Sequence, residues 1–178
     1  MVETNQWGHR KGFRNLSMEI EMTIKGLMID PITNMPIVIL KDKEGDRVLP
    51  IWVGVFEANA IALQIENISP PRPMTHDLLR NILSEIEADV QRIVVCELKE
   101  NTFYAMIYLN RQGQTMAVDA RPSDAIALAL RTKAPIFVED DVVESAKGLD
   151  LSKDTTDSER LQQWLEGLNP DDLGKYKM

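Results

Sequence analysis

Cysteine is almost absent from this chain: Cys96 stands alone among 178 residues, which excludes an intrachain disulfide and any paired-cysteine zinc pattern. It lies in the apolar run "RIVVCEL", where a buried thiol is the simplest reading. Aromatic residues are scarce at 6%, yet 44% hydrophobic and 27% charged residues exclude wholesale disorder. No apolar run approaches the length of a membrane span, and the N-terminus lacks the charged, apolar and small-residue succession of a signal peptide. A cytoplasmic protein without membrane contact is expected. Basic charge is also short, with 20 Lys and Arg against 28 Asp and Glu. Residues 139–178 hold 11 of those acids and only 5 of the bases, so most of the excess is tail. A protein that binds nucleic acid mainly by neutralising phosphate shows the opposite balance. Only a local basic cleft, or a bound divalent metal, would hold phosphate here. Walker loops, the Rossmann glycine fingerprint, HExxH and the GxSxG elbow are all missing, which disfavours the common nucleotide, zinc and serine-hydrolase chemistries.

What is present reads as one domain with tails. Residues 1–17 are polar, mildly basic and aperiodic, a loosely ordered arm. "MEIEMTIKG" alternates as a half-buried strand, and "PIVILK" and "RVLPIWVG" flank "DKEGD" as a hairpin. Helical spacing follows in "VFEANAIALQIEN", with Glu57 near its start. After the loop "ISPPRPM", a second helix "THDLLRNILSEIEADV" is expected. Thr75 is its N-cap, and Leu78, Leu79, Ile82, Leu83 and Ile86 form a core-facing stripe. "QRIVVCELK", "TFYAMIYLN" and "QTMAVDA" form an antiparallel meander through short turns, "DARPSDAIALALR" supplies a third helix, and "APIFV" a last strand. The expected architecture is α+β: a compact body over 18–142 with a mainly antiparallel or mixed sheet and three main helices. An acidic tail over 143–178 follows, with a short amphipathic helix around Leu161, Trp164, Leu165 and Leu168. The strand, turn and helix pattern at 51–65 is echoed at 116–130, both with "AIAL".

Two polar clusters could carry chemistry. In "DARPSD", Pro122, Ser123 and Asp124 suit the first turn of a helix, and Arg121 can pair with a carboxylate, so helix starting alone explains them. The alternative is that Asp119, Arg121 and Asp124 converge there, the guanidinium and free backbone N–H groups holding phosphate and the carboxylates a metal. In "PPRPMTHD", His76 next to Asp77 could act as general base or ligand, or be an ordinary first-turn residue. Arg72 between two prolines suits phosphate recognition or a structural ion pair. Glu57 and Asp30 sit at element boundaries, where turn and cap roles suffice.

The ordered succession "GLMIDPITNMPIVILKDKEGDRVLPIWVGVFEANAIALQIE", "PRPMTHDLL", "NTFYAMIYL", "DARPSDAIALALR" and "APIFV" resembles the bifunctional nuclease domain family over residues 18–142. The resemblance implies a compact α+β fold and, by the family's name, cleavage of both DNA and RNA. The residues carried over are those standing in the two motifs here. Asp119, Asp124, His76 and Asp77 are the catalytic candidates, and Arg72, Arg121 and Ser123 would bind substrate. Asp119, Asp124 and Glu57 would hold Mg or Mn. Some relatives continue into a helical-hairpin module, which the sequence after Val143 does not resemble. Against the metal-assisted nuclease stands a regulatory or ligand-binding module whose polar cluster is an ion-pair network. A third expectation, compatible with either, is a homo-oligomer, a dimer before others, built through exposed strand edges.

Overall fold

The computed structural model describes residues 18–147. In chain order it contains β1 (Glu19–Ile29), β2 (Pro36–Asp42), β3 (Val48–Trp52), α1 (Val55–Ile65), α2 (Thr75–Glu85), β4 (Ala88–Lys99), β5 (Thr102–Arg111), β6 (Gln114–Ala120), α3 (Pro122–Thr132), β7 (Ile136–Glu139) and α4 (Asp140–Lys147). The arm expected at 1–17 and the helix expected near Trp164 lie outside the described residues.

The strands form one mixed sheet in the order β3-β2-β1-β7-β4-β5-β6, antiparallel everywhere except between β4 and β7. The fold is α+β, as the sequence predicts. Its organisation is two three-stranded meanders, β1-β2-β3 and β4-β5-β6, on either side of β7. Each meander ends in an edge strand that feeds an Ala-rich helix, α1 or α3, which is the structural form of the "AIAL" echo. Tight turns make the meanders. Gln112 and Gly113, at φ 52° and 80°, are the two-residue mirror-image turn whose twist matches antiparallel neighbours.

The main core lies between α1, α3 and one face of the sheet, where Ile61, Ile126 and Leu128 meet Val38, Leu40, Ile93, Val95 and Ala105. Ala58, Ala62, Ala125 and Ala129 are all buried, and their small side chains let the two helices approach closely. β2 is buried on both faces: its alternate residues Ile37 and Ile39 join Met28 and Trp52 in a smaller cluster on the other side of the sheet.

Several expectations are corrected. The second helix stops at Glu85 instead of running to Val90: Glu87 takes φ 58°, and Ala88 already belongs to β4. Its N-cap is Met74, and Thr75 is its first helical residue. The stripe expected to be core is mostly bare. Leu83 is buried, but Leu78, Leu79, Ile82 and Ile86 are 54%, 38%, 48% and 45% exposed. A fourth helix, α4, follows β7, and its Val142 and Val143 are buried in the main core. The expected boundary between body and tail falls inside α4.

Candidate functional site

Each of the helices α1, α2 and α3 carries an acid as its third residue: Glu57, Asp77 and Asp124. Local chemistry explains this, because a carboxylate there meets the free N–H groups and positive end of the helix dipole. Tertiary structure brings the three starts together, and two arginines of one segment bind them. Arg121, the N-cap of α3, donates Nε to Asp124 Oδ2 at 2.7 Å and Nη2 to Glu57 Oε1 at 2.8 Å. Ten residues later Arg131, in the last turn of α3, donates Nε to Asp77 Oδ1 at 2.7 Å.

His76 joins the first of these groups, its Nε2 lying 3.1 Å from Asp124 Oδ1. Burial works against ionisation of Asp124, but hydrogen bonds from Arg121 and His76 outweigh it and hold the carboxyl below the usual range. An ionised carboxylate only accepts, so Nε2 carries the proton and Nδ1 is the ring nitrogen left for other work. The hydrogen bond to Asp124, followed by that charge and by Glu57, holds the Arg121 guanidinium above its ordinary value. Glu57 folds back over Gly54 so closely that a Cβ on Gly54 would overlap its carboxylate. Glycine at that position lets Glu57 reach Arg121.

Burial separates the two arginines. The Arg121 side chain is 67% exposed, while that of Arg131 is 0% exposed. Arg121, Pro122 and Ser123 form one wall of an open cleft of about 280 Å³, with Trp52, Val53 and the Asn101–Phe103 turn opposite. Asp77 and Arg131 form a separate, buried pair. Asp77 also accepts the Met74 backbone N–H at 3.0 Å, and Arg131 Nη1 donates to the carbonyls of Ala60 and Ala127. For Asp77 too, burial is outweighed, here by the Met74 N–H and Arg131, and its carboxyl sits below the usual range.

The structure thus joins Asp124, His76, Arg121 and Glu57, and of this group Arg121 lines the cleft together with Ser123. It does not bring Asp119 to Asp124. On β6, Val118 stands opposite Ile107 of the core and Asp119 opposite Met106, so Asp119 faces the other side of the sheet, exposed. The convergence expected of Asp119 with Arg121 and Asp124 fails because Asp119 is on the opposite face of β6, which ends at Ala120 before the chain turns at Arg121 into α3. Asp77 neighbours His76 in sequence but belongs to the buried Arg131 pair. Arg72 is exposed in the loop before α2. Asp30 is structural: it accepts from the Ile32 N–H, the Thr33 hydroxyl and Trp52 Nε1.

These donors do not fit a resident divalent cation. Both oxygens of Asp124 are engaged by Arg121 and His76, Glu57 is engaged by Arg121, and Asp119 is on the opposite face. Among the described residues no three His, Cys, Asp or Glu side chains converge as a metal would require. The set Asp119, Asp124 and Glu57, expected to hold Mg or Mn, is therefore not assembled. Nor, among those residues, is any helix long and apolar enough to cross a membrane. Arg131 was missed in the sequence because a basic residue in a last helical turn is ordinary there. Only its burial marks it.

Comparison with known proteins agrees with the motifs. The sequence model of the bifunctional nuclease domain matches residues 38–149. An uncharacterised protein of Mycobacterium tuberculosis is 37% identical over 164 residues, covering 86% of this chain and 97% of its own length. Bifunctional nuclease 1 of Oryza sativa subsp. japonica is 30% identical over 105 residues, 57% of this chain and 32% of its own. Bifunctional nuclease 1 of Arabidopsis thaliana is 27% identical over 107 residues, 58% of this chain and 33% of its own. Against the plant proteins the match therefore spans about a third of their length. The chain belongs to the bifunctional nuclease domain family.

Proposed function

We propose that this protein hydrolyses phosphodiester bonds of DNA and RNA at the cluster where Arg121 meets Asp124 and His76, next to the cleft that Arg121 and Ser123 line. The observation that carries the reading is the Asp124 carboxylate held between the His76 ring and an arginine whose guanidinium is largely exposed. Asp124 fixes the tautomer and orientation of His76, leaving Nδ1 to accept a proton from the attacking water or return one to the leaving oxygen. Arg121 presents its open side to a phosphate, Ser123 borders the same cleft, and Arg72 is the second cation near the start of α2. The acidic net charge makes this a local recognition site, with little sequence-independent affinity behind it.

A second reading has its own observation: Arg121, Asp124 and Glu57 are mutually paired, as in a network bracing helix starts in a binding module. One assay separates them. Nuclease-free preparations are incubated with single-stranded DNA and RNA in magnesium, manganese and EDTA. The nuclease reading expects His76→Ala and Arg121→Ala to lose about 100-fold or more in rate while remaining folded, and Asp119→Ala to cut normally. Absence of cleavage by the wild type under all three conditions, or full activity in His76→Ala, sinks it and leaves the brace.

A further inference from the structure

We infer that the edge of β6, unpaired among the described residues, and the bare face of α2 are parts of one self-complementary interface, occupied by a second copy of this chain through antiparallel pairing of β6 with β6. The two ends of the sheet are unlike. β3 is short and interrupted by Pro50, a common protection against edge pairing, whereas β6 has seven residues, no proline, no lysine and no register shift against β5. Its first six residues are exposed, Met116 and Val118 among them at 41% and 45%.

The backbone of β6 fixes which groups the edge offers. Gln112 and Gly113 form a two-residue turn, so the closing pair Arg111 and Gln114 exchanges both hydrogen bonds, as does every second pair after it. Gln114, Met116, Val118 and Ala120 therefore bond to β5. Thr115, Ala117 and Asp119 point their N–H and C=O groups outward. A twofold axis at Ala117 sets Ala117 against the partner subunit's Ala117 and Thr115 against the partner subunit's Asp119, engaging all three outward residues. The same register lays Met116 against the partner subunit's Val118, apolar on apolar. Asp119, the one charge on β6, never meets its own copy.

The bare helix face falls on the same side. Met116 and Val118 pair with Leu109 and Ile107, whose side chains share the main core with Leu83 of α2. The start of α2 contacts Asp124, just past the end of β6, and its C-cap accepts Arg111 Nε at Ile86 O, just before the start of β6. Ile82 and Ile86 are exposed on the bare face of α2, and the proposed twofold sets the two α2 stripes toward each other. One isologous contact covers both exposed features and closes on itself as a dimer.

Sedimentation of the full-length chain at micromolar concentration, with amide hydrogen exchange, tests this. The expected result is twice the chain's mass, with the Thr115, Ala117 and Asp119 amides protected as well as those of Met116 and Val118. Ala117→Pro removes an outward N–H while sparing the ladder to β5, and should yield a folded monomer. Should that variant fail to fold, Val118→Lys, at a position exposed in the monomer, should raise the dimer dissociation constant at least about tenfold. A monomeric wild type, a dimer with freely exchanging Thr115, Ala117 and Asp119 amides, or a dimer undiminished in Val118→Lys would each overturn the proposal.

Discussion

Replacing Arg131 by Met tests most sharply how the three helix starts are held. The Arg131 side chain is fully buried and links all three helices: Asp77 of α2, the Ala60 carbonyl of α1 and the Ala127 carbonyl of its own helix. Removing it leaves the Asp77 carboxylate, 12% exposed, with the Met74 N–H as its remaining hydrogen-bond donor. Breaking a buried pair from one side costs ~3–5 kcal/mol. Against this, Arg131 Nη2 is already buried without a partner, and removing it recovers part of a penalty of ~1–3 kcal/mol. The net expectation is a loss of ~2–4 kcal/mol, read by urea unfolding at pH 7 with an unchanged denaturant slope. Asp77→Asn added to Arg131→Met should restore ~1–2 kcal/mol, because the stranded charge is gone while the side-chain oxygen still caps α2. Arg121→Ala, with its guanidinium largely in water, should cost only ~0–1 kcal/mol despite its pairing with two carboxylates. A loss below ~1 kcal/mol for Arg131→Met, or a double variant weaker than the single one, would refute the reasoning.

The same carboxylates contribute to the acid limit of the fold. Asp77 and Asp124 both lie below the reference value of 3.8, so each contributes stability that is complete above that pH and lost as pH falls through the folded-state value. Thermal unfolding between pH 7 and 2 should therefore show a flat upper branch and a steep fall below about pH 4, shallower in Asp124→Asn. At the β5–β6 turn, Gly113→Ala meets no steric obstacle, yet φ 80° disfavours any side chain, and the variant should lose about 1 kcal/mol in the same assay.

Much of the fold was legible because its signals are local. Alternation in β1, the turn residues between strands, and Pro122, Ser123 and Asp124 opening α3 all act within a few residues, and β1 and α3 appear where the sequence puts them. α2 shows the limit of that information. Its apolar stripe correctly marks a helix, but periodicity says only which residues share a face, and the face is bare because α3 receives only the start of α2 and Leu83. Nor does any local pattern place β7 between β1 and β4 in parallel with β4, since that position depends on two pairings distant in sequence.

The candidate site divides along the same line. By itself the sequence determined that acids would open the helices and that Arg121 would lie next to one of them, because capping and dipole interactions reach only about one helical turn. Tertiary structure alone decided that Asp124 meets His76, 48 residues earlier, and that Asp77 is taken by Arg131, 54 residues later. It also decided that Asp119, five residues from Asp124 in the sequence, is turned to the opposite face. The orientation of a strand in its sheet, and the point at which that strand ends, outrank distance along the chain.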